Sequence, residues 1–271
     1  MSTLSAARKA DSSAHALARA MAPSLPQSAS SHREKHALDA DPRRAIHAAF
    51  TANACLKSWP AHAIDALYDA GKLRTWAPGE LIFARDQRCD DIQVVLGGAI
   101  EMSWTNAAGV RAVAVYMWPN EVINFIPVLD GRGSMHDQRA HGSTTLFHIP
   151  AAALFELFTR EPTLLRNVLD LICLRSRALH GRIGKTALAG FRARLADQLL
   201  VLAQWHGRAT ARGVELAIKL TQEDLAALLA ASRQRVNKEL RWLVEHGIVE
   251  VRYSRFTVID MKALQEVSDA V

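Results

Sequence analysis

Between Leu220 and Val251 the apolar positions fall into two short helical stripes. Leu225, Leu228 and Leu229 share one helical face, and Val236, Leu240 and Leu243 share another; the pattern breaks at Ala230-Ala231 between them. Thr221, with Asp224 three residues on, is a capping-box signal, Ser232 can cap the second helix, and Gly247 ends it. Beyond Gly247 the period shortens to about two residues. Ile248, Val249 and Val251 lead into Tyr253-Ser254, and Phe256, Val258 and Ile259 lead out, which predicts a β-hairpin. Two helices, a tight turn and a hairpin predict a winged helix-turn-helix.

The same reading upstream gives a different architecture. Pro78-Gly79 marks a turn before the strand Leu81-Ile82-Phe83, and Ile92 to Leu96 predicts another strand. Gly97-Gly98 then reads as a two-residue hairpin turn, with Ile100, Met102 and Trp104 alternating after it. Val113, Val115 and Met117 alternate again, and short strands are expected near 122–126 and 144–149. Many short strands with turn residues between them predict a jelly-roll-like β-roll. Short helices around Ile46, Phe50, Ile64 and Leu67 precede it, broken near Trp59-Pro60.

After the strands a helix runs from Pro150 to Phe158, and Pro162 heads a longer one. Leu165, Val168, Ile172, Ser176, Leu179 and Ile183 recur at spacings of three and four, a coiled-coil-like seam suited to a homodimer. A bend is expected at 184–190, then a helix with Phe191, Leu195, Leu199 and Leu202 inward, then a loop from His206 to Gly213. The expected organisation is α+β: a disordered tail over 1–44, a β-roll over 45–160, a dimerisation helix over 161–187 and a winged helix-turn-helix over 188–271. Within the tail only a short amphipathic helix near Ala14 to Met21 is suggested.

The polar face of the second helix carries the chemistry. Arg233, Gln234, Asn237, Lys238 and Arg241 point away from the Val236/Leu240 stripe. Arg and Lys donate to guanine O6 and N7, while Gln and Asn pair with adenine in the major groove. Ser232, Arg252, Tyr253 and Arg255 are positioned to hold the phosphate backbone of double-stranded DNA. A net charge of +6 and a sequence pI near 9.5 suit that anionic partner. Cys55, Cys89 and Cys173 stand far apart without a C-x-x-C pair, so neither a disulfide framework nor a zinc site is expected and a reducing cytoplasm fits. No apolar run is long enough to cross a membrane, and no secretory signal is expected at the N-terminus.

From about Leu73 to Leu264 the order of parts resembles the cyclic-AMP receptor/fumarate-nitrate regulator (Crp/Fnr) family of bacterial transcription factors. The motifs that carry the likeness are W-A-P-G-E-L-I-F, L-G-G-A-I, L-T-Q-E-D-L-A-A-L-L, S-R-Q-R-V-N-K-E-L and R-Y-S-R-F-T-V-I-D. The resemblance implies a sensory β-roll, a dimerising helix and a winged-helix reader acting at promoters, with RNA polymerase as a further partner. It assigns base contacts to Arg233, Gln234 and Lys238, and it sets Ala230 where the family usually has Gly. The family's cyclic-nucleotide members surround the ligand with a Gly-Glu pair and an Arg-Ser pair. Here those positions hold Asn124-Phe125 and Ser134-Met135, with Arg132 and Arg139 nearby but off the phosphate position. The cysteine spacing of the family's iron–sulfur sensors is missing too. The expectation is therefore a regulator that ignores cyclic AMP, with no cofactor and an effector left unidentified. The alternatives are a cyclic-nucleotide-responsive regulator with a rearranged pocket, or a sensing module whose winged helix binds another protein. A cupin-like metal enzyme built on His136, His141 and His148 is a third, but these lack the close H-x-H pair and neighbouring Glu such enzymes use.

Overall fold

The computed structural model describes residues 41–270 apart from 109–110, 217, 219 and 253–254. The suggested helix near Ala14 to Met21 and the hairpin tip at Tyr253 lie outside the described residues. The chain divides into two compact units, and the division falls after Ala178.

In the first unit, α1 (Pro42–Ala52) begins a few residues before the position expected from the apolar pattern. The Asp41 side chain accepts from the Arg44 N–H, and Pro42 occupies the first turn, where its missing N–H costs nothing. α2 (Ala61–Ala70) follows Pro60. Ile46, Phe50, Ile64 and Leu67 are all buried, as their spacing predicts. Six strands come next: β1 (Lys72–Trp76), β2 (Leu81–Phe83), β3 (Asp91–Thr105), β4 (Arg111–Met117), β5 (Val122–Ile123) and β6 (Asp137–Pro150). They form an antiparallel sheet of order β1-β6-β3-β4, with β2 on β6 and β5 on β3.

Gly97-Gly98 is not a hairpin turn. β3 passes straight through it, and both halves of β3 pair with the same partner strand: Val95 opposes Leu146 and Ala99 opposes His141, with register shifts on either side of Gly97. The glycines bend one long strand around the roll. Gly98 adopts φ +71°, and a Cβ there would come within 2.3 Å of the Ser143 carbonyl oxygen. A two-residue turn needs the next strand to fold back on the last; here a distant strand claims both halves.

The helices α3 (Phe125–Asp130), α4 (Ala151–Arg160) and α5 (Pro162–Leu188) complete this part of the chain. Leu154, Leu157, Leu164, Val168 and Leu171 join Phe50, Trp59, Ile92 and Phe147 in one apolar core. Val168, expected on an outward seam, is instead fully buried within its own chain. Leu165 and Ile172 pack partly against the same core, while Leu169, Leu179 and Ile183 stand about half exposed. With Leu169 in place of Val168 the outward positions are Leu165, Leu169, Ile172, Ser176, Leu179 and Ile183, a regular alternation of four and three. The expected bend at 184–190 is shorter than its glycines suggest. α5 continues through Gly184 to Leu188, and the break falls at Ala189-Gly190.

The second unit contains α6 (Phe191–His206), β7 (Gly207–Thr210), β8 (Gly213–Leu216), α7 (Gln222–Leu228), α8 (Arg233–Glu245), β9 (Val249–Arg252), β10 (Arg255–Val258) and α9 (Met261–Asp269). Its sheet has the order β7-β8-β10-β9. The stretch read as a loop from His206 to Gly213 is thus the end of α6, then β7 and its turn into β8. Its polar residues hid it from a periodicity reading. α9 packs on α6, and Leu195, Leu199, Leu225, Val236, Leu240, Leu243, Phe256 and Leu264 are buried.

Candidate nucleic-acid interface

The interface begins with the cap of α7. The Asp224 N–H donates to Thr221 Oγ1 at 3.1 Å, and the Thr221 N–H donates to Asp224 Oδ2 at 2.7 Å, so the predicted capping box is closed in both directions. α7 stops at Leu229, whose carbonyl accepts from Arg194 Nη2 of α6 at 2.7 Å. Ala230 turns the chain with φ +47°, and the Ala231 N–H reaches back to the Ala226 carbonyl at 2.9 Å. Ala230 therefore takes up the left-handed backbone that a glycine would enter without strain.

Ser232 then caps α8, its Oγ accepting from the Arg235 N–H at 3.3 Å. Val236, Leu240 and Leu243 are buried, which fixes the rotation of α8 about its axis. Arg233, Gln234, Lys238 and Arg241 are consequently exposed together, with Asn237 half-buried beside them. The helix ends in a two-bond lock: the Gly247 N–H bonds the Val244 carbonyl and the Ile248 N–H bonds that of Leu243. Gly247, at φ +69°, is the left-handed residue this lock requires. Arg233, Lys238 and Arg241 have no ion-pair partner among the described residues, so their charges are free to meet an anion.

A shallow groove of 430 Å³ runs along this face, lined by Arg192, Gln234, Asn237, Lys238, Arg241, Trp242 and Glu245. Arg192 is the residue the sequence reading missed. It comes from the start of α6, lies over the Trp242 ring at 3.9 Å and donates to Glu239 at 2.7 Å. No local pattern flags it, because its role depends on α6 lying beside α8. Arg235 turns away from the groove and covers Phe191 at 4.5 Å.

The hairpin β9–β10 supplies the second group of cations. Arg252 and Arg255 face each other in register and are exposed. Both are held by carboxylates: Arg252 Nη2 lies 2.6 Å from Glu250, and Arg255 Nη1 lies 2.8 Å from Glu215 on β8. Arg212, in the β7–β8 turn, also reaches Glu250 at 3.1 Å.

In the first unit the positions expected from the sequence to correspond to a nucleotide pocket lie at a neutral polar cluster. Gln138 Nε2 donates to Asn124 Oδ1 at 2.8 Å and to Ser134 Oγ at 3.0 Å, and the Ser134 hydroxyl donates to the His136 carbonyl at 2.7 Å. Phe125 is buried and Met135 is exposed. Arg132 is exposed, and Arg139, next to Gln138 on β6, points to the opposite face of the strand. The histidines go separate ways. His136 packs against Trp104 with the rings tilted, His141 packs against Tyr116 and Trp118, and His148 meets Asp91. Among the described residues no group of His, Cys, Asp and Glu gathers to hold a metal.

A β-roll followed by a long helix and a winged helix-turn-helix makes a two-part architecture. Residues 73–161 match the family described as Cyclic nucleotide-binding domain, and residues 193–267 match the Crp-like helix-turn-helix domain. The HTH-type transcriptional regulator Cmr of Mycobacterium tuberculosis is 26% identical over 206 residues, 74% of this chain and 78% of that protein. The CRP-like cAMP-activated global transcriptional regulator of the same organism is 23% identical over 191 residues, 69% of this chain and 83% of its own length. The structure of FixK2 from Bradyrhizobium japonicum superposes with a TM-score of 0.66 at 16% identity, covering 74% of this chain and 98% of that one. The chain belongs to the Crp/Fnr family of DNA-binding transcription regulators, a family of regulators and not of enzymes. None of its described helices is long and apolar enough to cross a membrane.

Proposed function

We propose that the protein binds palindromic promoter sites in the cytoplasm as a homodimer, reading each half-site with α8 and gripping the flanking phosphates with the wing. The observation that carries this is the free, exposed row Arg233, Gln234, Lys238 and Arg241 on a helix whose rotation is fixed by Val236, Leu240 and Leu243. Ser232, Asn237, Arg252, Arg255 and, from the sequence alone, Tyr253 complete the contact set. The outward alternation on α5, from Leu165 to Ile183, is the dimer seam, and RNA polymerase is the partner a promoter-bound dimer would meet. In domain terms the proposal keeps a tail over 1–44, a sensory roll over 45–160, a dimerisation helix over 161–187 and the reader over 188–271.

Cyclic AMP is not the signal. A nucleotide phosphate in a buried pocket needs a charged partner, and losing one costs about 3–5 kcal/mol. The cluster of Asn124, Ser134 and Gln138 supplies none, and Phe125 offers no carboxylate to a ribose. A cyclic-nucleotide-responsive regulator with a rearranged pocket is the second reading, favoured by the relative named as cAMP-activated. Selection from a random DNA pool should yield a two-fold symmetric sequence, and failure to enrich any sequence overturns the DNA reading. Calorimetric titration with cyclic AMP should show no binding at micromolar concentration; micromolar affinity favours the second reading.

A further inference from the structure

Among the described residues the cations of the reader fall into two electrostatic classes. Arg233, Lys238 and Arg241 on α8 have no ion-pair partner among the described residues, while Arg212, Arg252 and Arg255 are paired before any DNA arrives. The pairing is built into the sheet. Glu215 on β8 and Glu250 on β9 both stand opposite Thr257 of the central strand β10, so the two carboxylates and the hydroxyl form one row across three strands. That row floors a shallow concavity of 490 Å³ rimmed by Arg212, Arg252 and Arg255. The carboxylates are each about 30% exposed and the arginines about 60% exposed, so the acids are fixed by the sheet and the cations lie over them facing solvent.

We infer that Glu215 and Glu250 are specificity-determining residues that restrain the wing from binding DNA of arbitrary sequence. A phosphate can take Arg252 or Arg255 only by displacing a carboxylate already held at hydrogen-bond distance. Phosphate contacts supply essentially all non-specific affinity, whereas base contacts supply discrimination. Pre-pairing therefore lowers affinity for every sequence, and it leaves untouched the α8 cations that read bases. At a correct site the α8 contacts hold the domain against the duplex, and the local phosphate density is then high enough to exchange the wing pairs. The specificity ratio rises because the phosphate contribution of the wing is withheld until the bases match. A sheet-anchored carboxylate suits this better than a mobile surface acid, because it returns to the same arginine each time the DNA leaves.

This inference rests on the DNA-reading assignment, and its test separates the two. Glu250→Gln and Glu215→Gln preserve side-chain size and hydrogen bonding but remove the charge, and unchanged thermal melting verifies the fold. Binding of the full-length protein is measured against salt on two duplexes, the selected site and a scrambled one. For each variant we expect scrambled-duplex affinity to rise about 5- to 10-fold at low salt, with the slope of log K against log salt steeper by about one. Selected-site affinity should rise less, so the ratio falls. Unchanged affinities for both duplexes overturn the inference and leave the carboxylates as sheet-pairing groups. Weaker binding to both overturns it as well, since the acids would then be orienting the arginines for phosphate. A wild-type protein that binds neither duplex overturns the DNA reading itself.

Discussion

At the scale of single residues, function and stability depend on side chains whose charge is either free or suppressed. Arg233, at the first turn of α8, is exposed and without an ion-pair partner among the described residues. Arg233→Ala should weaken binding to the selected site by roughly 1–3 kcal/mol and relax preference at one base position, while scrambled duplex loses far less. Unchanged base preference in a competition assay would remove Arg233 from the reading face. His206, partly buried at the end of α6, is the opposite case: burial pushes its imidazolium down to about 3, so the folded chain holds it neutral. Below the ordinary imidazole value the unfolded chain takes up a proton that the folded chain refuses. Stability is therefore undiminished above about pH 6.5 and falls as pH drops from there towards 3, by up to about 1.4 kcal/mol per pH unit. Denaturant titrations at pH 7, 6 and 5 should record this decline, and His206→Gln should flatten it. An equal decline in the variant would assign the effect to other groups.

At the scale of elements, the turn between α7 and α8 carries a measurable strain. Ala230 at φ +47° lies in the left-handed region, which costs an L side chain about 1–2 kcal/mol. Glycine removes that cost and gives back part of it through a more flexible unfolded chain. Ala230→Gly should thus stabilise the protein by about 0.5–1 kcal/mol and raise the melting midpoint by roughly 1–4 °C. A lower midpoint would mean the turn does not use this backbone. The other helix boundaries were written locally. The Thr221/Asp224 box, the Ser232 cap and the Gly247 lock are closed by hydrogen bonds spanning only a few residues, so each could be read before the fold was known.

At the scale of the whole molecule, the proposed dimer makes the outward face of α5 its point of test. Ile183 is 58% exposed in the protomer, whereas Ile172 also packs on the protomer's own core. Ile183→Asp should therefore leave the protomer folded, halve the mass seen by light scattering, and cut affinity for a palindromic site about 100-fold or more by uncoupling its half-sites. A retained dimer would move the seam elsewhere. The sequence by itself determined the order of parts, the helix-turn-helix with its caps, and the polar face of α8 that is left exposed. Those features follow from periodicity and from bonds between near neighbours, which the chain carries wherever it folds. Tertiary structure decided the rest. Gly97-Gly98 became a bend because β6 pairs with both halves of β3, and Val168 went inward to the core that also holds Phe50, Ile92 and Phe147. The segment from Gly207 to Leu216 became strands because β10 offered β8 an edge. Arg192 reached Trp242, and Glu215 and Glu250 took hold of the wing arginines, through contacts between elements distant in sequence. Such contacts depend on which surfaces meet, and no window of neighbouring residues contains that information.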